Sequence, residues 1–305
     1  MVTISDVANL LSRNTINYSI IDYPEKKKSI DIITEEQNDK RRILVLKINN
    51  STSDRRNFRI LFDLKKISEV TESLPLIIDD NIEDDVVSEK DGVFSMNLYT
   101  LERSLRGEKI FLLKTRGGIF VRVDSKKLRE KREEKNMSLG ELSQRLGVSR
   151  ISVYDYEKED SYVSIEVAEK LIEIFGDEVI GDIIKDYDSN TKKKKELQSD
   201  YNEEVKILEK LDRVLSDANY KTVKFNFTAI DMAAIKGSEK LIFCTEVNTL
   251  ANSLKKFNEA NKIASKINAK LLVIAKSSKT SKVYEKENFN VYIYNDIDKV
   301  VDESS

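Results

Sequence analysis

Apolar residues recur along this chain with two periods. Ile4, Val7, Leu10 and Leu11 fall on one helical face, which predicts an amphipathic helix over 4–17. Shorter apolar runs at 18–23, 29–33 and 42–48 predict strands, and the last is continuous enough to be buried on both faces. A helix is predicted over 56–70, a short buried strand at 75–78 and another strand at 94–99. The same order returns later: a helix over 205–215, strands at 220–223, 231–235 and 240–247, a helix over 254–267, then strands at 270–275 and 291–294. Tyr18 matches Tyr220, Asp31 matches Asp231 and Ile78 matches Ile274, so the offset drifts only from 202 to 196 residues. This pattern predicts an internal duplication of an α/β unit.

Between the copies the pattern changes. Ser138 and Glu141 have the spacing of a capping box, in which each side chain satisfies an orphan backbone N–H of the other and a helix begins. Leu142 and Leu146 lie one turn apart on that helix, and Gly147 supplies the left-handed residue that ends it. Ser149 is an N-cap for the next helix, on which Val153 and Tyr156 are expected to face a core while Arg150, Ser152 and Asp155 point away. Helices are also expected around 128–132 and over 165–176. Upstream, Arg116-Gly117-Gly118-Ile119 lies between β-prone runs and predicts a tight hairpin with positive φ at both central positions. It reads either as a basic wing or as a structural connector.

At these residues the chain resembles the lambda-repressor/Cro (XRE) type of helix-turn-helix over about 60 positions. Leu139 stands where that family often has a polar residue touching phosphate, and Glu159 replaces a glycine that usually follows the recognition helix. The resemblance implies that the helix starting at Ser149 enters a DNA major groove, with Arg150, Ser152 and Asp155 towards base edges and Ile151 against a thymine methyl. It also implies phosphate contacts from Ser149, Lys126, Lys127 and Arg132.

Charge enters through its distribution. The chain has 52 basic and 54 acidic residues, which by itself points to no partner. Residues 101–132, however, hold eleven basic against four acidic side chains, whereas 159–188 hold ten acidic against two basic. The basic block runs into the first helix of the motif, where phosphate contacts would be needed. The sequence contains no histidine, which excludes Ser-His-Asp and Cys-His catalysis. With Cys244 the only cysteine, no intrachain disulfide can form. No apolar run approaches ~20 residues, so no membrane is expected and a cytoplasmic location is.

Each α-β-β-β-α-β copy, with an Asp opening one strand, resembles the PD-(D/E)xK nuclease fold. In that family the Asp and the first acid of an ExK triplet hold Mg²⁺, and the Lys helps to activate water. Carried onto this chain, the resemblance puts Asp31 at the metal position, Val45 at the acid and Lys47 at the Lys. In the second copy it puts Asp231, Cys244 and Glu246 at those positions. Neither set is complete, since valine cannot ligate a metal, and Glu35 and Glu36 are other nearby carboxylates. The plain alternative makes the two Asp residues relics or local hydrogen-bond acceptors, Lys47 a snorkelling side chain and Cys244 a small buried hydrophobe.

The expected architecture is therefore α/β plus all-α. A degenerate nuclease-like domain occupies 1–108, a β-hairpin connector 109–124, the helix-turn-helix domain 125–188, a linker containing Lys192–Lys195 189–200, and a second nuclease-like domain 201–305. As a whole this resembles a group of archaeal transcriptional regulators of about this length. It implies a homodimer on double-stranded DNA with no catalytic residue, metal or cofactor, its α/β units paired within a chain or swapped between chains. Two other readings stay open: a Mg²⁺-dependent structure-specific nuclease, and an interaction protein docking its helix-turn-helix on protein, such as a component of the transcription machinery.

Overall fold

The structure is a computed structural model that describes residues 1–35, 43–49, 57–90, 92–158, 161–187 and 203–300. The lysine run of the expected linker, Glu36 and Glu159 lie outside the described residues. The first elements are α1 (Ile4–Arg13), β1 (Tyr18–Ile20), β2 (Ile32–Thr34), β3 (Leu44–Ile48), α2 (Asn57–Thr71) and β4 (Leu74–Ile78). After them come β5 (Val86–Lys90), β6 (Val93–Met96), α3 (Leu98–Leu105), β7 (Leu112–Thr115) and β8 (Gly118–Arg122). Helices α4 (Ser125–Glu134), α5 (Leu139–Leu146) and α6 (Arg150–Tyr156) precede β9 (Tyr162–Ser164) and α7 (Ile165–Phe175). The remainder comprises α8 (Glu203–Asp217), β10 (Lys221–Lys224), β11 (Met232–Lys236), β12 (Glu239–Thr245), α9 (Leu250–Lys266), β13 (Lys270–Ala275), α10 (Ser278–Lys286) and β14 (Val291–Ile293).

The chain divides into two compact units that cut across the boundaries expected from the sequence. One comprises Met1–Asn14, Ile48–Asn50 and Leu76–Asp188; the other comprises Thr15–Lys47, Ser51–Pro75 and Ser189–Ser305. In the second unit β10 to β14 form one sheet in sequence order, antiparallel up to β12 and parallel beyond it. Met232, Ala234, Leu241, Phe243, Leu272 and Ile274 line one face of that sheet and pack on Leu211 and Leu215 of α8. The alternate positions Ala233, Ile242, Cys244 and Val273 are also buried, and α9 contributes the buried Phe257, Ala260 and Ile263. Burial on both faces is why these strands read as nearly continuous apolar runs. In the same unit β1, β2 and β3 form an antiparallel meander, and β4 joins it where the Leu74 N–H donates to Ile43 O at 2.9 Å.

These two segments of the second unit hold each other through corresponding residues. The Ile21 N–H donates to Asp31 O and the Asp31 N–H to Leu46 O, just as Phe225 donates to Asp231 O and Asp231 to Phe243 O. From α2, Asp63 Oδ2 accepts the N–H groups of Asn226 (2.7 Å) and Phe227 (2.6 Å), while Lys66 Nζ donates to Lys224 O (2.9 Å). From α9, Glu259 Oε2 accepts the Asp22 N–H (2.8 Å) and Lys262 Nζ donates to Ile20 O (3.1 Å). Glu259 follows Asp63, and Lys262 follows Lys66, by the same 196 positions. Each helix thus clamps the strand exit of the other segment, the reciprocal geometry of an isologous contact.

Burial raises the Asp63 carboxyl above its ordinary 3.8, and the two backbone donors offset this only partly. A carboxyl whose folded pKa is raised favours the fold while protonated. That contribution is present below pH 3.8 and is lost as pH rises through the folded pKa. Asp63→Asn keeps the single acceptor oxygen that both donors use and carries no charge. It should flatten this part of the profile, read as urea midpoints between about pH 3.5 and 7 beside the wild type.

In the other unit Leu76, Ile77 and Ile78, the last residues of β4, pair in parallel with β6, and the order continues β6-β5-β7-β8-β9. The strand expected to reach residue 99 stops at Met96, because Asn97 caps α3 by accepting the Thr100 N–H at 2.8 Å. Strand β5 was not expected from the polar run Val86-Val87-Ser88-Glu89-Lys90, yet it lies between β6 and β7. The hairpin forms, with Thr115 opposite Gly118, but its turn differs from the expected primed type. Only Gly118 has positive φ (129°), so Arg116 and Gly117 turn without it. Among the described residues no helix is long and apolar enough to cross a membrane.

Candidate nucleic-acid interface

Local chemistry starts and stops each helix of the motif. Asp124 caps α4, accepting the Lys127 N–H at 3.0 Å. The Ser138–Glu141 capping box is made in both directions, at 2.7 and 3.1 Å, and starts α5. Gly147 ends α5 in the left-handed region (φ 72°, ψ 32°), where a side chain would be strained. Two residues later Ser149 Oγ accepts the Ser152 N–H at 3.0 Å and α6 begins. Leu142, Leu146, Val153, Val167 and Leu171 share one core with Val121 and Val163 of β8 and β9. The hairpin is therefore packed into the helical domain. Leu139, at the departure noted above, packs against the same core.

Helix α6 presents the expected candidates unequally. Arg150 is exposed and has no ion-pair partner among the described residues. Ile151 is 73% exposed and Tyr154 55% exposed. Asp155 also faces out, but its carboxylate takes a hydrogen bond from Lys158 Nζ at 3.0 Å, and the same ammonium lies 4.5 Å from the centre of the Tyr154 ring. The Ser152 hydroxyl is half-buried and lies 2.9 Å from Ser149 Oγ. Tyr154 and Lys158 were not among the residues expected at DNA, although Lys158 follows Tyr154 by four positions just past the end of α6.

Of the expected phosphate-contacting residues, Lys126 is exposed on the first turn of α4, and Lys127 is half-exposed beside Asp124. Arg132 is a correction. Its Nη2 donates to Glu157 Oε2 (2.9 Å), its Nε to Glu157 Oε1, and its Nη1 to Met137 O (2.9 Å). The guanidinium is turned into the domain because Glu157, the C-cap of α6, lies buried beside it. Much of the basic block is likewise consumed internally. Arg103 pairs with Asp85 and Glu108, Lys114 with Glu83 and Lys131 with Glu178, while Arg122 is buried against Tyr162. Arg116, at the hairpin turn, remains exposed.

The nuclease-like positions lie in the second unit. Asp31 is buried and receives Lys47 Nζ at 2.8 Å and Lys28 Nζ at 3.3 Å. Val45, at the acid position, is fully buried. The strand register corrects the match expected for the second segment. Ile32 pairs with Leu46 and Met232 with Phe243, so one step further Asp31 faces Lys47 and Asp231 faces Cys244. Cys244 therefore occupies the Lys position and Ile242 the acid position, whereas Glu246 corresponds to Asn49. The Asn49 N–H donates to Ile78 O as the Glu246 N–H donates to Ile274 O. The expected match was slipped by two residues, a slip that keeps every side chain on its own face and so leaves the hydrophobic pattern unchanged.

The cation missing from that strand comes from α9. Lys256 Nζ bonds both Asp231 carboxylate oxygens, at 2.8 and 2.6 Å, and Thr245 O at 3.1 Å, and its side chain is only 4% exposed. Thr245 donates its N–H and its hydroxyl to Asp231 Oδ2. Burial and the Asp231 carboxylate push the Cys244 thiol far above its ordinary pKa, and it donates to Ala229 O, so it is inert. Glu246 accepts from the Lys276 N–H and the Thr280 hydroxyl at the start of α10. Glu35 receives Lys266 Nζ at 3.2 Å. Among the described residues no three His, Cys, Asp or Glu side chains converge to hold a metal ion. With apolar residues at both acid positions and lysines on both Asp residues, these side chains do not fit Mg²⁺.

Two family models match this chain. Residues 1–110 match the PD-(D/E)XK superfamily domain, and residues 128–178 match the helix-turn-helix family. A protein of Sulfurisphaera tokodaii named "Putative HTH-type transcriptional regulatory protein" is 47% identical over 97% of this chain and 98% of its own. A similarly named protein of Saccharolobus islandicus is 38% identical, and one of Saccharolobus solfataricus 37%, each over 98% of this chain and 96% of its own. No solved structure matches. At this identity over almost the entire length, the chain belongs to this family of archaeal HTH-type transcriptional regulatory proteins.

Proposed function

We propose that this protein is a non-catalytic transcriptional regulator that binds double-stranded DNA as a homodimer and reads the major groove with α6. The observation that carries the reading is the outward face of α6, set by the Gly147 turn and the Ser149 cap, with Arg150 exposed at its start and without an ion-pair partner among the described residues. A guanidinium there suits the O6 and N7 of guanine, and Lys126, Lys127 and Ser149 suit phosphates. The names of the relatives support the same class of activity. The two α/β segments are degenerate copies of one nuclease-like unit that pair within the chain. Their reciprocal Asp63/Glu259 and Lys66/Lys262 contacts support that view, and the buried Val45 and Ile242 support the absence of cutting.

The test is recovery of bound DNA from the genome with the full-length protein. A two-fold symmetric motif with half-sites about one helical turn apart is expected. Arg150→Ala should cost ~1–3 kcal/mol and relax specificity at one base pair per half-site. Uniform weakening on all sequences would make Arg150 a phosphate contact, and Mg²⁺-dependent cleavage of duplex or branched DNA would overturn the non-catalytic assignment.

A further inference from the structure

On a helix of 3.6 residues per turn, successive side chains of α6 point about 100° apart. Val153 is fully buried and Tyr156 packs on the domain core, which fixes the inward direction. The opposite direction falls between Ile151 and Tyr154, with Arg150 on one flank and Asp155 on the other. Beside this face the Ser152 hydroxyl is engaged with Ser149 and the Asp155 carboxylate with Lys158, while Arg150 has no ion-pair partner among the described residues. The Lys158 ammonium over the Tyr154 ring restrains the ring on the outer surface. The centre of the face is thus the exposed Ile151 side chain and Tyr154 ring, on a helix started by the Ser149 cap.

The 5-methyl of thymine is the apolar feature that base pairs present in the major groove. We propose that Ile151 and Tyr154 read thymine methyl groups on adjacent base pairs, so that the centre of each half-site is thymine-containing and Arg150 reads its flank. This rests on the DNA-binding reading above and names what that surface recognises. Asp155, paired with Lys158, is then a positioning residue for Tyr154.

Full-length protein would select duplexes from a random library, and the best-bound duplex would be remade with deoxyuridine at each thymine in turn. That exchange deletes the methyl group and nothing else. One buried methyl corresponds to about a fourfold change in affinity, so losses of about that size are expected at one or two thymines per half-site. Ile151→Ala should abolish the loss at one of these positions and Tyr154→Ala at the other. Both side chains are exposed and alanine favours helix, so the melting temperature should hold. Sequence-specific binding with no uracil sensitivity, or sensitivity unchanged in both variants, overturns the inference and leaves the DNA-binding reading standing. Enrichment of no sequence at all overturns both.

Discussion

Replacing Lys256 by methionine should lower stability by about 3–5 kcal/mol, because it strands the Asp231 carboxylate within a hydrogen-bonded, largely buried site. Burial opposes the charged form of Lys256, but the Asp231 carboxylate outweighs it and the pKa stands above the ordinary 10.5. For a base raised in this way, the stabilisation is fully present below pH 10.5 and fades only as pH passes the folded value. The loss should therefore appear undiminished in guanidinium unfolding at pH 7. Asp231→Asn combined with Lys256→Met should recover most of it, since an uncharged pair of similar volume leaves no buried charge. If the two single changes simply add, the pair is not coupled and Lys256 only fills space. The partially exposed Lys47 provides the contrast: Lys47→Met should cost less, because Lys28 still faces Asp31.

What was legible in the sequence follows from how far each interaction reaches. The helix-turn-helix could be placed almost residue by residue, because Ser138 and Glu141, Gly147, and Ser149 act over three or four positions. Both α/β segments were visible because strands buried on two faces leave apolar runs. Lys256 was missed because its partner lies 25 positions earlier on another element. A trace existed, however: Lys256 shares its helical face with the buried Ala260 and Ile263, and a lysine in such a stripe calls for a buried counter-charge. Asp63 interrupts the buried Leu64 and Ile67 of α2 in the same way. Strands β5 and β9 and helix α10 were missed for the opposite reason, their residues being short or polar runs whose placement depends on long-range pairing.

Arg132→Met should destabilise the helix-turn-helix domain by about 3–5 kcal/mol while leaving the salt dependence of DNA binding unchanged. Its guanidinium joins the last turn of α4 to the C-cap of α6 through a bidentate pair with Glu157, and also holds Met137 O. The hydrogen bonds that Arg132 donates to Glu157 lead in raising its pKa, so the charge is fixed at every accessible pH. Removing it leaves the Glu157 carboxylate, 7% exposed, without its partner at the end of the helix that presents Ile151 and Tyr154. Lys126→Ala should behave in the opposite sense. It loses only a 4.0 Å contact to Glu130 on an exposed turn, so stability should stay within ~0.5 kcal/mol of the wild type. Affinity for every DNA should nevertheless fall, and the slope of log affinity against log salt should drop by ~1. Calorimetric melting and salt titrations of both variants separate the two roles. An Arg132→Met protein that melts normally and has a reduced salt slope would return Arg132 to the phosphate backbone, and would mean that its pair with Glu157 does not form in solution.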